Sequence, residues 1–130
     1  MKEFCLGFAF PSIELANEEV VVIRKNKPAF QKGRLNGIGG KVERGETGIR
    51  AMCREFMEET GVTTQEFEWK HVCTFIIEDC NIHVFTTSHC RFFACRTTEE
   101  EQVLVRLVSS LCYETKMDNL GWLVPMCLTL

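Results

Sequence analysis

Residues 40 to 62 read Gly-Lys-Val-Glu-Arg-Gly-Glu-Thr-Gly-Ile-Arg-Ala-Met-Cys-Arg-Glu-Phe-Met-Glu-Glu-Thr-Gly-Val. At roughly 100° of rotation per residue, a helix over 47–60 places Glu55, Glu58 and Glu59 within one arc of roughly 100°. Ile49, Met52, Cys53 and Phe56 fall on another side, so the spacing predicts that they pack on a core while the carboxylates face outward. Gly61 follows the last periodic residue, where a left-handed cap ends a helix. Thr47 or Glu46 can cap its start, and acid there suits the helix dipole.

Such a helix carries an electrostatic conflict. Glu55 and Glu59 are an i, i+4 like-charge pair, which costs about 0.2–0.5 kcal/mol on an isolated helix. Glu58 adds repulsion, and Arg54 is the only close cation in the sequence. One guanidinium cannot neutralise three acids, and a bound divalent cation would. An all-oxygen ligand set points to Mg²⁺, with Mn²⁺ as a substitute, rather than zinc. The alternative is a solvated acidic face.

The approach to the helix is Gly33-Arg34-Leu35-Asn36-Gly37-Ile38-Gly39-Gly40-Lys41. Its glycines let a ligand come close to the backbone. It is neither a Walker loop nor a dinucleotide fingerprint, because the lysine-serine/threonine pair and the glycine spacing are missing. Feeding an acidic helix, it suits a metal-bridged diphosphate, with Lys41 neutralising phosphate charge.

The 130 residues form one expected domain, 1–130, large enough to bury most of its apolar surface. The start Met-Lys-Glu-Phe-Cys carries acid and no long apolar run, so neither a signal peptide nor a membrane span is expected. A net charge of −3 offers no electrostatic footprint for a long nucleic acid. Eight cysteines occur without a Cys-x-x-Cys pair, which reads as reduced, buried thiols of a cytoplasmic protein. A monomer or small homo-oligomer is expected.

Along the chain, strands are expected at Phe4–Phe10, with Phe4, Leu6, Phe8 and Phe10 on one face, and at Val20–Lys25. Further strands are expected at Val72–Glu78, Ile82–Thr87, Arg91–Cys95 and Val103–Val108, the first two joined through Asp79-Cys80-Asn81. Asn119–Leu128 is apolar enough for a closing helix that Pro125 must bend or interrupt. The class is α+β, an α/β/α sandwich.

Residues 40–62 match the box of the Nudix hydrolases, G-x5-E-x7-R-E-U-x-E-E-x-G-U with U apolar. Gly40, Glu46, Arg54, Glu55, Glu58, Glu59 and Gly61 fill every fixed position, and Phe56 and Val62 fill both apolar ones. At roughly 6 % usage per residue type, seven such matches arise by chance about once in 10⁸ to 10⁹ starts, so the resemblance is specific. Leu-Asn-Gly-Ile-Gly-Gly-Lys-Val-Glu before the helix, Asn-Ile-His-Val-Phe at 81–85 and Trp-Leu-Val-Pro at 122–125 resemble the MutT-type branch of oxidised-purine nucleoside triphosphatases.

The resemblance implies a Nudix fold, a mixed sheet between helices, with Mg²⁺-dependent hydrolysis of a nucleoside triphosphate to monophosphate and pyrophosphate. By position it makes Glu55, Glu58 and Glu59 metal ligands, one of the cluster a base or orienting group for water, and Arg54 their support. The Gly40 backbone would approach the metal and Glu46 would stabilise the loop–helix junction. A distal glutamate would come from Glu99, Glu100 or Glu101, with Glu100 favoured. Asn36 would read a purine edge, Phe30 and Trp122 would wall the base, and Asp118 and Asn119 stand where acids read oxidised purines. In the branch an acid stands at the place of Asn119 and a tryptophan at that of Lys116, and Leu35 departs as well. These departures bear on 8-oxo-dGTP as the substrate, not on the hydrolysis. Trp122 also reads as core, and His71, His83 and His89 as non-ligands. Other readings keep the chemistry but change the substrate to a pyrimidine dNTP, a nucleotide sugar or an RNA 5′ end. A non-catalytic sensor is the remaining class, although no box glutamate is lost.

Overall fold

The computed structural model describes residues 1–11, 19–88 and 94–129. In chain order the elements are β1 (Lys2–Ala9), β2 (Glu19–Arg24), β3 (Leu35–Asn36), β4 (Ile38–Lys41), α1 (Gly48–Thr60), β5 (Lys70–Ile77), β6 (Cys80–Thr87), β7 (Gln102–Leu107) and α2 (Leu120–Thr129). All seven strands join one mixed sheet. β1 runs parallel to β6, with Lys2 opposite Cys80 and Ala9 opposite Thr87. On its other edge β1 pairs antiparallel with β4 and, at Ala9–Val21, with β2. β2 pairs with β7 and β3, and β5 with β6.

β1 is apolar on both faces because a helix covers each side. Leu6, Phe8 and Phe10 lie in one buried cluster with Val20, Val22, Leu120, Leu123 and Val124, under α2. Cys5 and Ala9 lie in the other with Ile38, Ala51, Met52, Phe56 and Trp69, under α1. Phe8, Phe56 and Leu123 are fully buried, which is worth about 1.5–3 kcal/mol each. The α/β/α layering expected from the sequence is the one found.

α1 starts on Thr47, whose side chain accepts from the Arg50 N–H at 3.2 Å. Of the two candidate caps, Thr47 therefore does the capping and Glu46 is left for another partner. The helix ends on Gly61 at φ 77°, whose N–H bonds to the Met57 carbonyl. α2 continues through Pro125 instead of breaking there. Leu120, Leu123, Val124 and Cys127 anchor it on the sheet, and that packing outweighs the missing N–H.

Two expectations change and a third goes untested. The β5–β6 connection is a tighter turn at Glu78–Asp79, with Glu78 at φ 53° and Ile77 opposite Cys80, so Cys80 and Asn81 are strand residues. The Arg91–Cys95 strand falls mainly on residues 89–93, outside the described residues, as do His89 and Cys90. Trp122 is not core: it is 49 % exposed, its ring meeting the sheet only in an edge contact with Phe75. Seven cysteines are free thiols among the described residues, and only Cys5 and Cys127 are buried. No helix among the described residues is long and apolar enough to cross a membrane.

Candidate active site

Arg54 organises the polar side of α1. Its Nε donates to Glu46 Oε2 at 2.8 Å and its Nη2 to Glu46 Oε1 at 2.9 Å. Nη2 also reaches the Lys41 carbonyl at 3.0 Å, and Nη1 reaches Glu55 Oε1 at 2.9 Å and Glu58 Oε2 at 3.4 Å. A planar fork of five donors can make all of these bonds at once, which an ammonium could not. Glu46 Oε1 also accepts the Glu43 N–H at 2.9 Å. The Arg54 hydrogen bonds hold the Glu46 carboxyl below the usual range. One guanidinium thus ties the end of β4, the turn after it and α1 into a single frame.

Gly40 lets the carboxylate helix approach β4. A Cβ there would lie 2.5 Å from Glu55 Oε1, so the Glu55 carboxylate occupies space that a side chain would fill. At Gly39 a Cβ would lie 2.0 Å from the Cys5 carbonyl oxygen, on the neighbouring strand.

The three α1 glutamates do not share one environment. Glu58 is the exposed one, its side chain 42 % accessible, while Glu55 retains only 14 %. Glu59 is pushed up to about 8, first by burial and then by repulsion from Glu55, Glu101 and Glu99, with Lys25 opposing. Burial also raises Glu55, against the pull of Arg54. The outward-facing arc expected from periodicity therefore runs from solvent at Glu58 into the protein at Glu55 and Glu59. The cause is tertiary: β4 and the residues before β7 approach that side of the helix.

Among the described residues no three His, Cys, Asp or Glu side chains already converge as a metal cage. The expected trio is not preassembled because Arg54 holds Glu55 and Glu58, and burial favours the neutral form of Glu59. The residues nevertheless fit an oxygen-seeking divalent cation. Glu59 Oε2 is a buried acceptor with no partner, Glu55 lies against the open backbone at Gly40, and the donors are all oxygen.

A cavity of about 490 Å³ has Gly39 and Gly40 in its wall. Asn36, Phe30 and Asn119 line it, together with Phe4, Leu6, Phe75, Ile82 and Met117. Asn36 Oδ1 accepts the Gly37 N–H at 2.9 Å, leaving its amide hydrogens for a ligand. Asn119 Oδ1 is buried with no partner. Among the described residues Lys25 is the only charged one in the lining.

The remaining candidates fall elsewhere. Asp118 lines a separate cleft with Arg34, Glu114 and Lys116. Trp122 does not line the cavity but packs edge-on against Phe75, which does, at 5.5 Å between ring centroids. Lys41 is exposed and serves the frame through its carbonyl. Glu100 is exposed and is not among the groups acting on Glu59, whereas Glu99 and Glu101 are. Burial raises Glu101, but the Asn26 N–H and Lys25 outweigh it and hold it below the ordinary value. His83 bonds Glu3 at 2.7 Å and shares the Thr74 hydroxyl with His71, each at 2.9 Å, so these histidines serve the sheet. Sequence reasoning missed Lys25 and Phe75, and named Glu101 only as one of three candidates for a distal glutamate, with Glu100 favoured. Lys25 and Phe75 lie on predicted strands, but strand pairing alone brings them to the cavity.

The NUDIX domain family model matches residues 7–118, most of the chain and all of the frame built on Arg54. The chain belongs to the Nudix family. Among relatives of this Nudix protein, the 8-oxo-dGTP diphosphatase of Escherichia coli K12 is 39 % identical over 62 residues, 48 % of each chain. The oxidized purine nucleoside triphosphate hydrolase of Mus musculus is 33 % identical over 73 residues, 53 % of this chain and 47 % of that one. The Nudix chain thus matches about half the length of these relatives. In fold it is similar to a MutT structure from work on Aliivibrio salmonicida and Vibrio cholerae, with TM-score 0.78, 21 % identity, and 99 % and 98 % of the two chains covered. It is also similar to the NUDIX domain of Shewanella oneidensis NrtR complexed with ADP ribose, with TM-score 0.74, 13 % identity, and 95 % and 84 % covered.

Proposed function

We propose that the protein hydrolyses a nucleoside triphosphate to a monophosphate and pyrophosphate, with a purine, oxidised or not, in the 490 Å³ cavity. One observation carries the reading: Gly39 and Gly40 line the cavity while the Glu55 carboxylate lies against Gly40. A nucleotide with its base beside Asn36 and Asn119 extends its phosphates along these glycines to the acidic helix.

Gly40, through its carbonyl, with Glu55, Glu58 and Glu59, would hold a Mg²⁺ or Mn²⁺ ion, which neutralises phosphate charge and acidifies water. Arg54 keeps Glu55 in place and, through Glu46, keeps the glycine turn against α1. One carboxylate of the cluster accepts the proton of the attacking water. Lys25, at the cavity wall, meets the negative charge of the phosphates. Asn36 offers N–H donors and Asn119 a carbonyl acceptor, so neutral amides read the base. The relatives acting on 8-oxo-dGTP and oxidised purine triphosphates support the purine class.

The test is a nucleotide panel in Mg²⁺ and in Mn²⁺ with products identified, covering dGTP, 8-oxo-dGTP, dATP, dCTP and ADP-ribose. Monophosphate and pyrophosphate from purine triphosphates are the expected result. Absent turnover of every substrate overturns the hydrolase reading, and cation-independent turnover overturns the metal assignment. Turnover confined to ADP-ribose or dCTP overturns only the purine assignment.

A further inference from the structure

Glu101 stands just before β7, and its carboxylate is committed to one loop. Oε1 accepts from Lys25 Nζ at 3.1 Å, while Oε2 accepts from the backbone N–H groups of Asn26 and, at 3.3 Å, of Lys27. The pair is mostly withdrawn from water, with side chains 19 % (Lys25) and 13 % (Glu101) exposed. Bonds from N–H groups and an ammonium to a carboxylate are stronger than neutral ones, so this is a firm anchor. The loop closes on itself further along, with Gly33 N–H donating to the Lys25 carbonyl at 2.8 Å and Lys25 N–H to the Arg34 carbonyl at 2.9 Å. Between these ties, Lys25, Pro28, Phe30 and Gln31 form one wall of the cavity.

We propose that Glu101 is a positioning residue: by clamping the start of the 25–33 loop, it sets where Lys25 and Phe30 stand relative to the bound nucleotide. It touches neither the base nor the reacting phosphorus. Glu99 and Glu100, its exposed neighbours, leave the clamp to Glu101 alone among the three acids. The inference rests on the hydrolase reading for its kinetic consequences and on geometry alone for the clamp.

The test compares the full native chain with Glu101→Gln, Glu101→Ala and Lys25→Ala. It uses steady-state kinetics on the best purine triphosphate, Mg²⁺ titrations, and amide exchange followed by NMR. Loss of positioning removes binding felt equally in the ground and transition states, so Glu101→Ala raises KM about tenfold with kcat within about threefold. Glu101→Gln, which keeps a carbonyl acceptor for the loop, falls between native and alanine. Lys25→Ala raises KM at least as much as Glu101→Ala, because it removes both its part of the clamp and the ammonium at the cavity wall. The Mg²⁺ half-saturation stays unchanged.

Without nucleotide, the Asn26 and Lys27 amides exchange about tenfold faster in the alanine variant, while the Lys25 amide, bonded to Arg34, does not. Should the alanine variant fail to fold, the glutamine variant carries each arm with a smaller change in the same direction. A fall in kcat with a raised Mg²⁺ requirement and unchanged KM overturns the proposal in favour of a direct cation role. Unchanged exchange at Asn26 and Lys27 overturns it as well. If the native chain turns over no nucleotide, the hydrolase reading fails by itself and the exchange measurement still decides the clamp.

Discussion

Arg54 and Glu46 face each other across the turn from β4 into α1 with two parallel N–H···O bonds, at 2.8 and 2.9 Å. Eight positions apart in sequence, they make the loop and the helix one rigid body. The same guanidinium positions Glu55, so support and acidic cluster are coupled.

Replacing Arg54 by lysine keeps the charge but loses the fork. Supporting groups around metal sites typically matter by 10- to 100-fold, so Arg54→Lys should lower kcat/KM by about that factor. Circular dichroism should report an unchanged secondary structure. Activity within twofold of native would mean that Glu55 needs no such support.

Glu59 makes stability depend on pH in a direction opposite to that of most carboxylates. Its folded value, about 8, lies above the ordinary 4.5. Its contribution to stability is therefore fully present below about 4.5 and is lost as pH rises through about 8. In chelator, native melting temperature should fall from pH 5 to 8.5 with a smaller slope in Glu59→Gln. At pH 8 the variant should be the more stable by about 1–3 kcal/mol. Added Mg²⁺ should stabilise the native protein more than the variant, by mass action. Parallel pH curves in chelator would show that Glu59 is not the titrating group.

Neighbouring glycines should fail in different ways. Gly39→Ala drives a methyl to 2.0 Å from a backbone oxygen of β1, whereas Gly40→Ala meets only the Glu55 carboxylate, at 2.5 Å. The first should cost several kcal/mol of folding stability, of the order of 3 or more. The second should leave the melting temperature within a few degrees yet lower kcat by about 10²-fold, since displacing a positioned group by an ångström has that effect. Thermal melts with kinetics on both variants check this; comparable stability losses would refute it.

Asn119 and Asn36 should separate affinity from stability. Asn119 Oδ1 is buried without a partner, so Asn119→Ala removes an unsatisfied acceptor and loses no hydrogen bond. Stability should hold or rise, while purine triphosphates lose about tenfold in kcat/KM relative to pyrimidines. Asn36→Ala gives up the Gly37 bond and should shift base preference more than maximal rate. Equal losses on every nucleotide in both variants would argue against a base-reading role.

Much of this site was legible in residues 40–62. Local periodicity and capping place Glu55, Glu58, Glu59, Arg54, Thr47 and Gly61, because a helix is built from contacts three and four residues apart. The alternating apolar residues of β1 likewise announce a strand with one buried face, whereas the burial of Cys5 and Ala9 on the other is known only from the structure. The β5–β6 turn was misplaced because a left-handed Glu78 carries no glycine or asparagine signal. Trp122 was read as core because an aromatic residue in an apolar run looks buried until the orientation of the helix is known.

By itself the amino-acid order determined that β1, β2, α1 and α2 form, which family the chain joins and which carboxylates share a helix face. Only the tertiary structure decided that Glu59 is buried and Glu58 exposed, that Asp118 lies away from the 490 Å³ cavity while Lys25 lines it, and that Glu101 rather than Glu100 reaches back to the loop after β2. Those outcomes depend on strand pairing and on contacts between residues as far apart as 25 and 101. Burial and desolvation there arise from several elements at once, so no local pattern encodes them.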